Sequence, residues 1–526
     1  MQILSAAQTR ELDQLTIECQ QLAAAELMER AGERLFTALS AHTSVRQDIP
    51  IYLLCGSGNN GGDGLVLARL LQEAGYAITV WHALVGTPTE ENQLNAERFQ
   101  AFSGANYQTI SSDAPYPTFT TAEVILIDAL FGAGLSRPIA GYWAGLVEQF
   151  NQQSAFTVAI DLPSGVPGEG SVAGAAIQAD WTICIELPKL SVFLVDNAAF
   201  IGEWTTVSID LDQEALRDIE PLAILAEPYL LQPLLRRRGT FDHKGTFGHA
   251  AIIAGSYGKM GACLLAARAA LRAGAGLVTT HIPGCGYQIM QMAFPEAMCV
   301  VDEHQYLISQ VGEIDKYQAL GVGPGLGQNI LTENALADLL QRAERPLVLD
   351  ADALNILAKR QDLWSLIPPN SILTPHPKEF DRLFGPFDSY FRRSERSGDP
   401  RRSGWERSGY PRPSGWSRLQ QMSRELNCIV VLKGGYSFIS SPDQPLWINP
   451  TGNPGMGTGG AGDVLTGILT GLLAQGYPPY DAARLGVYLH GLAGDLAAEE
   501  EEQEAVIASD LVEYLGKAFG RLRAAS

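Results

Sequence analysis

None of the seven cysteines (Cys19, Cys55, Cys184, Cys263, Cys285, Cys299 and Cys428) stands in CxxC spacing, and their number is odd. A disulfide framework and a cysteine zinc site are therefore not indicated. Several lie within apolar, strand-like runs, where buried free thiols are expected. Positive charge is also scarce: 37 Lys and Arg stand against 58 Asp and Glu, a net charge of −21. A nucleic-acid partner is argued against, because phosphate contacts need a basic surface. Anionic small molecules stay open, since loops and helix ends set the field a ligand meets. No apolar run reaches membrane-spanning length, and no basic region precedes a long apolar core at the N-terminus. A cytoplasmic protein with no membrane partner is expected. The 526 residues, 46% of them hydrophobic, suffice for more than one core, and two domains are expected.

The densest signal present is Asn453-Pro-Gly-Met-Gly-Thr-Gly-Gly-Ala-Gly-Asp463. Its five glycines precede one acid and the run Val464 to Ala474, in which Leu465, Ile468, Leu469, Leu472 and Leu473 keep helical spacing. Glycines let the backbone approach a ligand and turn several N–H groups toward one anion. A helix starting there adds partial positive charge. Asp463 then stands where it can take a proton from a hydroxyl beside a phosphoryl group. The plainer alternative is a glycine-rich turn with Asp463 as a helix cap.

In the first half, Ser5 to Gln8 has the form of a capping box opening a helix, and a second helical run spans Ala23 to Leu39. The strand Ile51–Cys55 leads into Gly56-Ser-Gly58-Asn-Asn-Gly61-Gly-Asp63-Gly64, with a helix expected over Leu65–Ala74. This is the strand, glycine turn and helix of a nucleotide-binding unit. The next strand, Ala77–Leu84, does not end in the acid that would hold a ribose diol, so an ordinary dehydrogenase loses ground. Strands ending at Asp128 and Asp161 lead into Ala-Leu-Phe-Gly132-Ala-Gly134 and Leu-Pro-Ser164-Gly165. With Asn59, Asn60 and Asp63 after the first strand, the carboxylate, amide and hydroxyl oxygens at this edge suit a hard cation, and a spare carboxylate suits proton transfer.

The motifs GSGNNGGDG, DALFGAG and DLPSG, in this order and followed by Pro188-Lys189, resemble the N-terminal domain (YjeF N-terminal type) of the NAD(P)H-hydrate repair enzymes. The resemblance covers roughly residues 1 to 215. It implies a Rossmann-like three-layer α/β domain that epimerises C6 of the hydrates NADHX and NADPHX with a bound potassium ion. By motif, Asn60, Asp128 and Ser164 would ligate potassium. Asn59, Asn60, Gly61, Gly62, Asp63 and Asp161 would hold the hydrate, as would Gly132, Ala133, Gly134, Leu135, Ser136, Arg137 and Pro138. Asp161 is the nominated acid/base residue.

The pattern loosens between Asp212 and Gly239, and the boundary is expected near residue 220, giving domains 1–220 and 221–526. The later motifs HKGxFGH, GPGLG, DADALN, TPHPKEF and VLKGG, with the glycine loop, resemble the ribokinase-like dehydratase domain of the same repair system, over roughly residues 222 to 520. A lone histidine such as His376 is often only a cap, and Lys433 after its strand is as readily solvated as ligand-facing. The resemblance implies that Ala262, Gly325, His376 and Asp463 contact the hydrate, and that Lys433, Gly434, Gly435, Tyr436, Ser437 and Gly462 contact the adenine nucleotide. It implies Mg²⁺, with ADP as co-substrate giving AMP and phosphate. Residues 387–417, rich in Arg, Ser, Gly and Pro with an 11-residue near-repeat, are expected to be a disordered surface insertion. The acidic run Glu499 to Glu504 is expected to be a solvated helix end. A homo-oligomer is expected, of an order the sequence does not give. The rival reading is a ribokinase-like kinase for a small alcohol, fused to a non-catalytic nucleotide-binding domain.

Overall fold

The computed structural model describes residues 1–121, 123–135, 137–385 and 415–525. Its contacts gather into two compact units, Gln2–Ala223 and Ile224–Ser526.

The first unit is built on seven parallel strands: β1 (Ile51–Cys55), β2 (Ile78–Ala83), β3 (Asn106–Ile110), β4 (Ile125–Ala129), β5 (Phe156–Ile160), β6 (Trp181–Ile185) and β7 (Glu203–Val207). They lie in the order β3-β2-β1-β4-β5-β6-β7. Every residue of β1 and β4 is buried, as continuous apolar strands covered on both faces should be. The chain moves outward from β1 in one direction and resumes beside it at β4 in the other. That reversal opens a crevice at the carboxyl ends of β1 and β4, the general ligand position in such sheets.

Helix α1 (Ala6–Gln20) opens with the expected capping box: Ser5 Oγ accepts from Gln8 N at 3.2 Å, and Gln8 Oε1 accepts from Ser5 N at 2.9 Å. Helix α2 spans Ala24–Ala41. Helix α3 runs Asn59–Glu73, so it starts at Asn59 and not at Leu65 as expected. The reason is tight packing under the turn. A Cβ on Gly61 would lie 1.9 Å from the Gly56 carbonyl oxygen. Asn92 Nδ2 donates to the carbonyls of Gly56 and Gly58 at 2.8 and 2.9 Å. The glycine turn is thus drawn into the helix, and Asn59 to Asp63 become its first residues.

In the second unit the strands are β8 (His249–Ile253), β9 (Leu277–Ile282), β10 (Met298–Val301), β11 (Ala319–Val322), β12 (Leu347–Leu349), β13 (Ile372–Leu373), β14 (Ile429–Leu432), β15 (Ser437–Ser441) and β16 (Gln444–Asn449). Their order is β16-β15-β14-β13-β12-β11-β8-β9-β10. Pairing is parallel from β14 to β10 and antiparallel at β14/β15 and β15/β16. Strand order reverses between β8 and β11, again placing a crevice at the carboxyl edge.

Five helices of this unit carry or support that edge: α4 (Met260–Arg272), α5 (Ala351–Lys359), α6 (Pro377–Phe384), α8 (Ala461–Ala474) and α9 (Pro479–Glu501). Helix α7 is Gly415–Leu426, so Gly415 to Ser417 of the expected insertion begin a helix, and residues 387–414 lie outside the described residues. The glycine-loop helix α8 packs on α4 through small residues. A Cβ at Gly467 would fall 2.1 Å from the Ala266 carbonyl oxygen, and one at Gly471 would fall 2.4 Å from that of Ala270. Helix α9 ends within the acidic run, whose residues Glu499 to Glu504 are exposed.

Candidate active sites

At the carboxyl edge of the first sheet lies a cavity of about 920 Å³. It is lined by Asn59, Asn60 and Asp63 at the start of α3, by Gly132, Ala133, Gly134, Leu135 and Arg137 after β4, and by Asp161 after β5. Gly61 and Gly62 are buried in the turn, and Pro138 packs toward Gly174; these three do not line it. Ser136 lies outside the described residues. Helices α1 and α2 close another wall through Ala6, Thr9, Asp13, Leu27 and Met28.

Asp161 is the focus of this cavity. Its backbone is left-handed, φ +64°, a conformation costing a non-glycine residue about 1–3 kcal/mol. The turn directs its carboxylate at Lys189, whose Nζ lies 2.5 Å from Asp161 Oδ1 and donates also to the Leu187 carbonyl at 3.0 Å. The lysine side chain is 3% exposed. Burial works against its charge, but Asp161, aided by Cys184, holds the ammonium above its usual pKa. Around the pair, burial pushes the Asp63 carboxyl well up, with Asp161 and Asp13 adding to it.

Asp128 sits behind the cavity, fully buried. It accepts from Ser164 N and Ser164 Oγ, both at 2.6 Å, and from Leu130 N at 3.2 Å. Burial nevertheless raises its pKa to about 6, the hydrogen bonds from Ser164 and Leu130 opposing. Asn60 faces Gly132, and its buried Nδ2 has no hydrogen-bond partner among the described residues.

In the second unit Asp463 occupies the first turn of α8, after Gly460 in left-handed conformation at φ +101°. Burial, and next the charge of Asp350, raises its pKa to about 6 against the pull of Lys433. Asp350 is 2% exposed, and its two oxygens are held by Lys433 Nζ at 2.8 Å and Thr466 Oγ1 at 2.9 Å. Gly462 is the gap between them. A Cβ there would approach Lys433 Nζ at 3.3 Å and Asp350 Oδ2 at 3.6 Å. Gly434 and Gly435 form the turn from β14 to Tyr436 and Ser437 at the start of β15.

The glycine loop is anchored from α9: Asp495 accepts from Gly452 N and Asn453 Nδ2, both at 3.0 Å. The α8 entry is anchored too, by His490 Nε2 at 2.9 Å from the Ala461 carbonyl. Ala262 and Gly325 are neighbours, since a Cβ on Gly325 would lie 3.1 Å from the Ala262 Cβ. His376 is the N-cap of α6: its Nδ1 accepts from Lys378 N at 3.1 Å and Glu379 N at 3.4 Å. Burial, then Lys433 and Arg382, lower its pKa.

Sequence reasoning passed over Asp13, Thr466, Asp495 and His490, and carried Asp350 only within the DADALN motif. The DADALN run was the available signal for Asp350. For the other four there was none, since each reaches its site from a helix face.

Two family models match the chain. One, described as NAD(P)H-hydrate dehydratase, covers residues 250–517, and the other, YjeF-related protein N-terminus, covers residues 24–191. The chain is 35% identical over 541 residues to the bifunctional NAD(P)H-hydrate repair enzyme Nnr of Moorella thermoacetica, covering 98% of this chain and 96% of that one. It is 33% identical over 493 residues to the Escherichia coli enzyme of the same name, covering 93% and 88%. Among solved structures, an ADP/ATP-dependent NAD(P)H-hydrate dehydratase from Bacillus subtilis, co-crystallised with ATP and Mg²⁺, is 30% identical with a TM-score of 0.46, covering 56% of this chain and 97% of that one.

Proposed function

Because the chain belongs to the bifunctional NAD(P)H-hydrate repair enzymes, we propose that residues 1–220 interconvert the R and S forms of NADHX and NADPHX, and that residues 221–526 dehydrate the S form with ADP. The observation that carries the second assignment is the placement of Asp463: an acid at a helix N-terminus behind five glycines, beside the Lys433–Asp350 pair. Loop amides and Lys433 receive the phosphates of the nucleotide. Asp463 takes the proton of the C6 hydroxyl, whose oxygen attacks the β-phosphorus of ADP, and AMP leaves. Phosphate then departs from C6 as a proton is lost from C5, restoring the dihydropyridine. Phosphorylation turns a poor leaving group into a good one, which is why a kinase-like site serves a dehydration.

Ala262, Gly325 and His376 would meet the hydrate, and Gly434 to Ser437 with Gly462 the adenine nucleotide. Among the described residues no group of three His, Cys, Asp or Glu side chains converges as a metal cage. That suits a Mg²⁺ held chiefly by substrate phosphates and water. When bound, the ion would neutralise charge on the β-phosphate oxygens.

In the first half Asp161 serves as acid/base residue and Lys189 holds it in place. Asn60, Asp128 and Ser164 fit a potassium ion. Their donors are oxygens, the Asp128 carboxyl is held up at about 6 by burial, and turning the unpartnered Asn60 amide would present its oxygen. The ion would supply the positive charge this buried carboxylate lacks. A cytoplasmic location and a homo-oligomer complete the reading; no helix among the described residues is long and apolar enough to cross a membrane.

The test is recovery of NADH absorbance from a mixed-epimer NADHX pool with purified protein, ADP and Mg²⁺. Recovery of the whole pool with AMP and phosphate formed supports both assignments. Recovery of the S fraction alone, after correction for spontaneous epimerisation, removes the first. No recovery with ADP or ATP removes the second.

A further inference from the structure

Asp13 belongs to none of the motifs that carry the repair activity. Helix α1 turns Ala6, Thr9, Asp13 and Ile17, spaced three and four residues apart, toward the cavity that holds Asp161 and Lys189. Beside this stripe the helix is pinned: Leu12 and Thr16 are fully buried. Thr16 Oγ1 accepts from Asp212 N at 3.0 Å, and Gln20 Nε2 donates to the Asp210 carbonyl at 2.9 Å. The helix therefore cannot roll to carry Asp13 away. A stripe needed only for packing would have a leucine at this position, not a carboxylate facing a cavity.

The groups facing Asp13 come from three other segments: Asp63 on α3, Asp161 after β5, and Glu186 with Lys189 after β6. Arg10 lines the cavity from the same helix. Lys189 is committed to Asp161, and among the described residues burial and these charges act on Asp13 while none hydrogen-bonds its carboxyl. Burial, which Lys189 opposes and Asp161 and Glu186 assist, raises its pKa to about 6. The cavity thus holds one carboxylate locked in an ion pair and a second, from another wall, with its proton-binding oxygens uncommitted. A carboxylate held by a cation, facing a second carboxyl with no cation bound to it, is an arrangement suited to paired acid and base work.

We propose that Asp13 is the proton donor that complements Asp161 in interconverting the two epimers. This rests on the epimerase reading of the first half. C6 of the hydrate carries a hydroxyl and is bonded to ring nitrogen N1, so it is a hemiaminal carbon. Asp161 takes the hydroxyl proton as the C6–N1 bond breaks. The bond's electron pair passes to N1, which receives a proton from Asp13, and C6 becomes an aldehyde. Rotation about C5–C6 presents the other face. N1 then closes on C6 while its proton returns to Asp13 and the new hydroxyl recovers a proton from Asp161. No atom or electron is gained or lost, so no co-reactant is needed.

The experiment uses the full-length protein without ADP, so that dehydration cannot run, and follows conversion of R-NADHX to the S form by chromatography from pH 5 to 9. Asp13→Asn is expected to lower kcat about 100-fold or more, with KM changed by no more than about twofold. It should also remove the decline in kcat that the unsubstituted protein shows as pH rises through about 6. Asp13→Glu keeps a carboxyl group and should restore part of the rate with the alkaline decline still present. Dehydration of S-NADHX with ADP should be unchanged in both variants. Retention of kcat within about threefold in Asp13→Asn, a loss confined to KM, or an unaltered pH profile overturns the proposal. If Asp13→Asn loses its unfolding transition, Asp13→Glu decides alone, and a rate without the alkaline decline overturns it. If the unsubstituted protein does not epimerise, the epimerase reading itself fails and this inference with it.

Discussion

Each unit pairs a lysine with an aspartate at its sheet edge, but the two pairs are built in opposite senses. In the first, Lys189 is 3% exposed and Asp161 14%, so the lysine backs the carboxylate, and the carboxylate faces the cavity. In the second, Asp350 is 2% exposed and Lys433 22%, so the carboxylate backs the lysine, and the ammonium faces outward. The first arrangement offers an anion to a neutral hydroxyl, as proton transfer requires. The second offers a cation beside glycine amides, as a phosphate requires. Two open α/β sheets thus present opposite members of a lysine–aspartate pair at their carboxyl edges.

The sharpest way to break this contrast is to remove the acids one at a time. Asp463→Asn is expected to lower dehydration of the S form about 1,000-fold while epimerisation continues, and Asp161→Asn to do the reverse. Separate assays of the two steps on each variant check this, and either change abolishing both activities in folded protein refutes the division of labour. Next in size are the lysines. Lys189→Met leaves Asp161 without its counter-charge and should destabilise the first unit by about 3–5 kcal/mol, read from chemical denaturation. Lys433→Met leaves the deeply buried Asp350 with the Thr466 hydroxyl alone, so it should also cost stability, and in addition raise the KM for the nucleotide. An unchanged nucleotide KM in Lys433→Met would dissolve the distinction.

A smaller, graded effect follows from the buried acid. In the proposed role Asp463 acts deprotonated, and its pKa is raised to about 6. Dehydration kcat/KM should therefore fall as pH drops through about 6, approaching tenfold per pH unit below it; a flat profile from pH 5 to 8 would contradict its role. Smallest is Gly462→Ala, whose methyl would press on Lys433 Nζ from 3.3 Å. It should raise the nucleotide KM about tenfold with kcat less affected, measured by steady-state kinetics over a range of ADP concentrations.

Much of this could be read along the chain. The strand, glycine turn and helix units around Cys55 and Asp463, the capping box at Ser5 and the strand-end acids Asp128 and Asp161 all depend on residues close in sequence. The start of α3 was misplaced because Gly61 packing on the Gly56 carbonyl, and Asn92 reaching that loop from another helix, outweigh the local turn signal. His376 illustrates another limit: the sequence left it open between a cap and a ligand contact, and the hydrogen bonds it accepts as the cap of α6 appeared only with the backbone in place.

The sequence by itself determined which residues end strands, where glycine lets the backbone come close, and the order of motifs that identifies the family. Those properties follow from side-chain period and backbone sterics over a few residues. Only the tertiary structure decided the partners. Lys189 meets Asp161 across 28 residues and Lys433 meets Asp350 across 83, while Asp13 reaches the cavity from a helix that carries no motif. Which member of each pair faces the ligand depends on how packed strands and helices divide burial between them, and no local pattern carries that information.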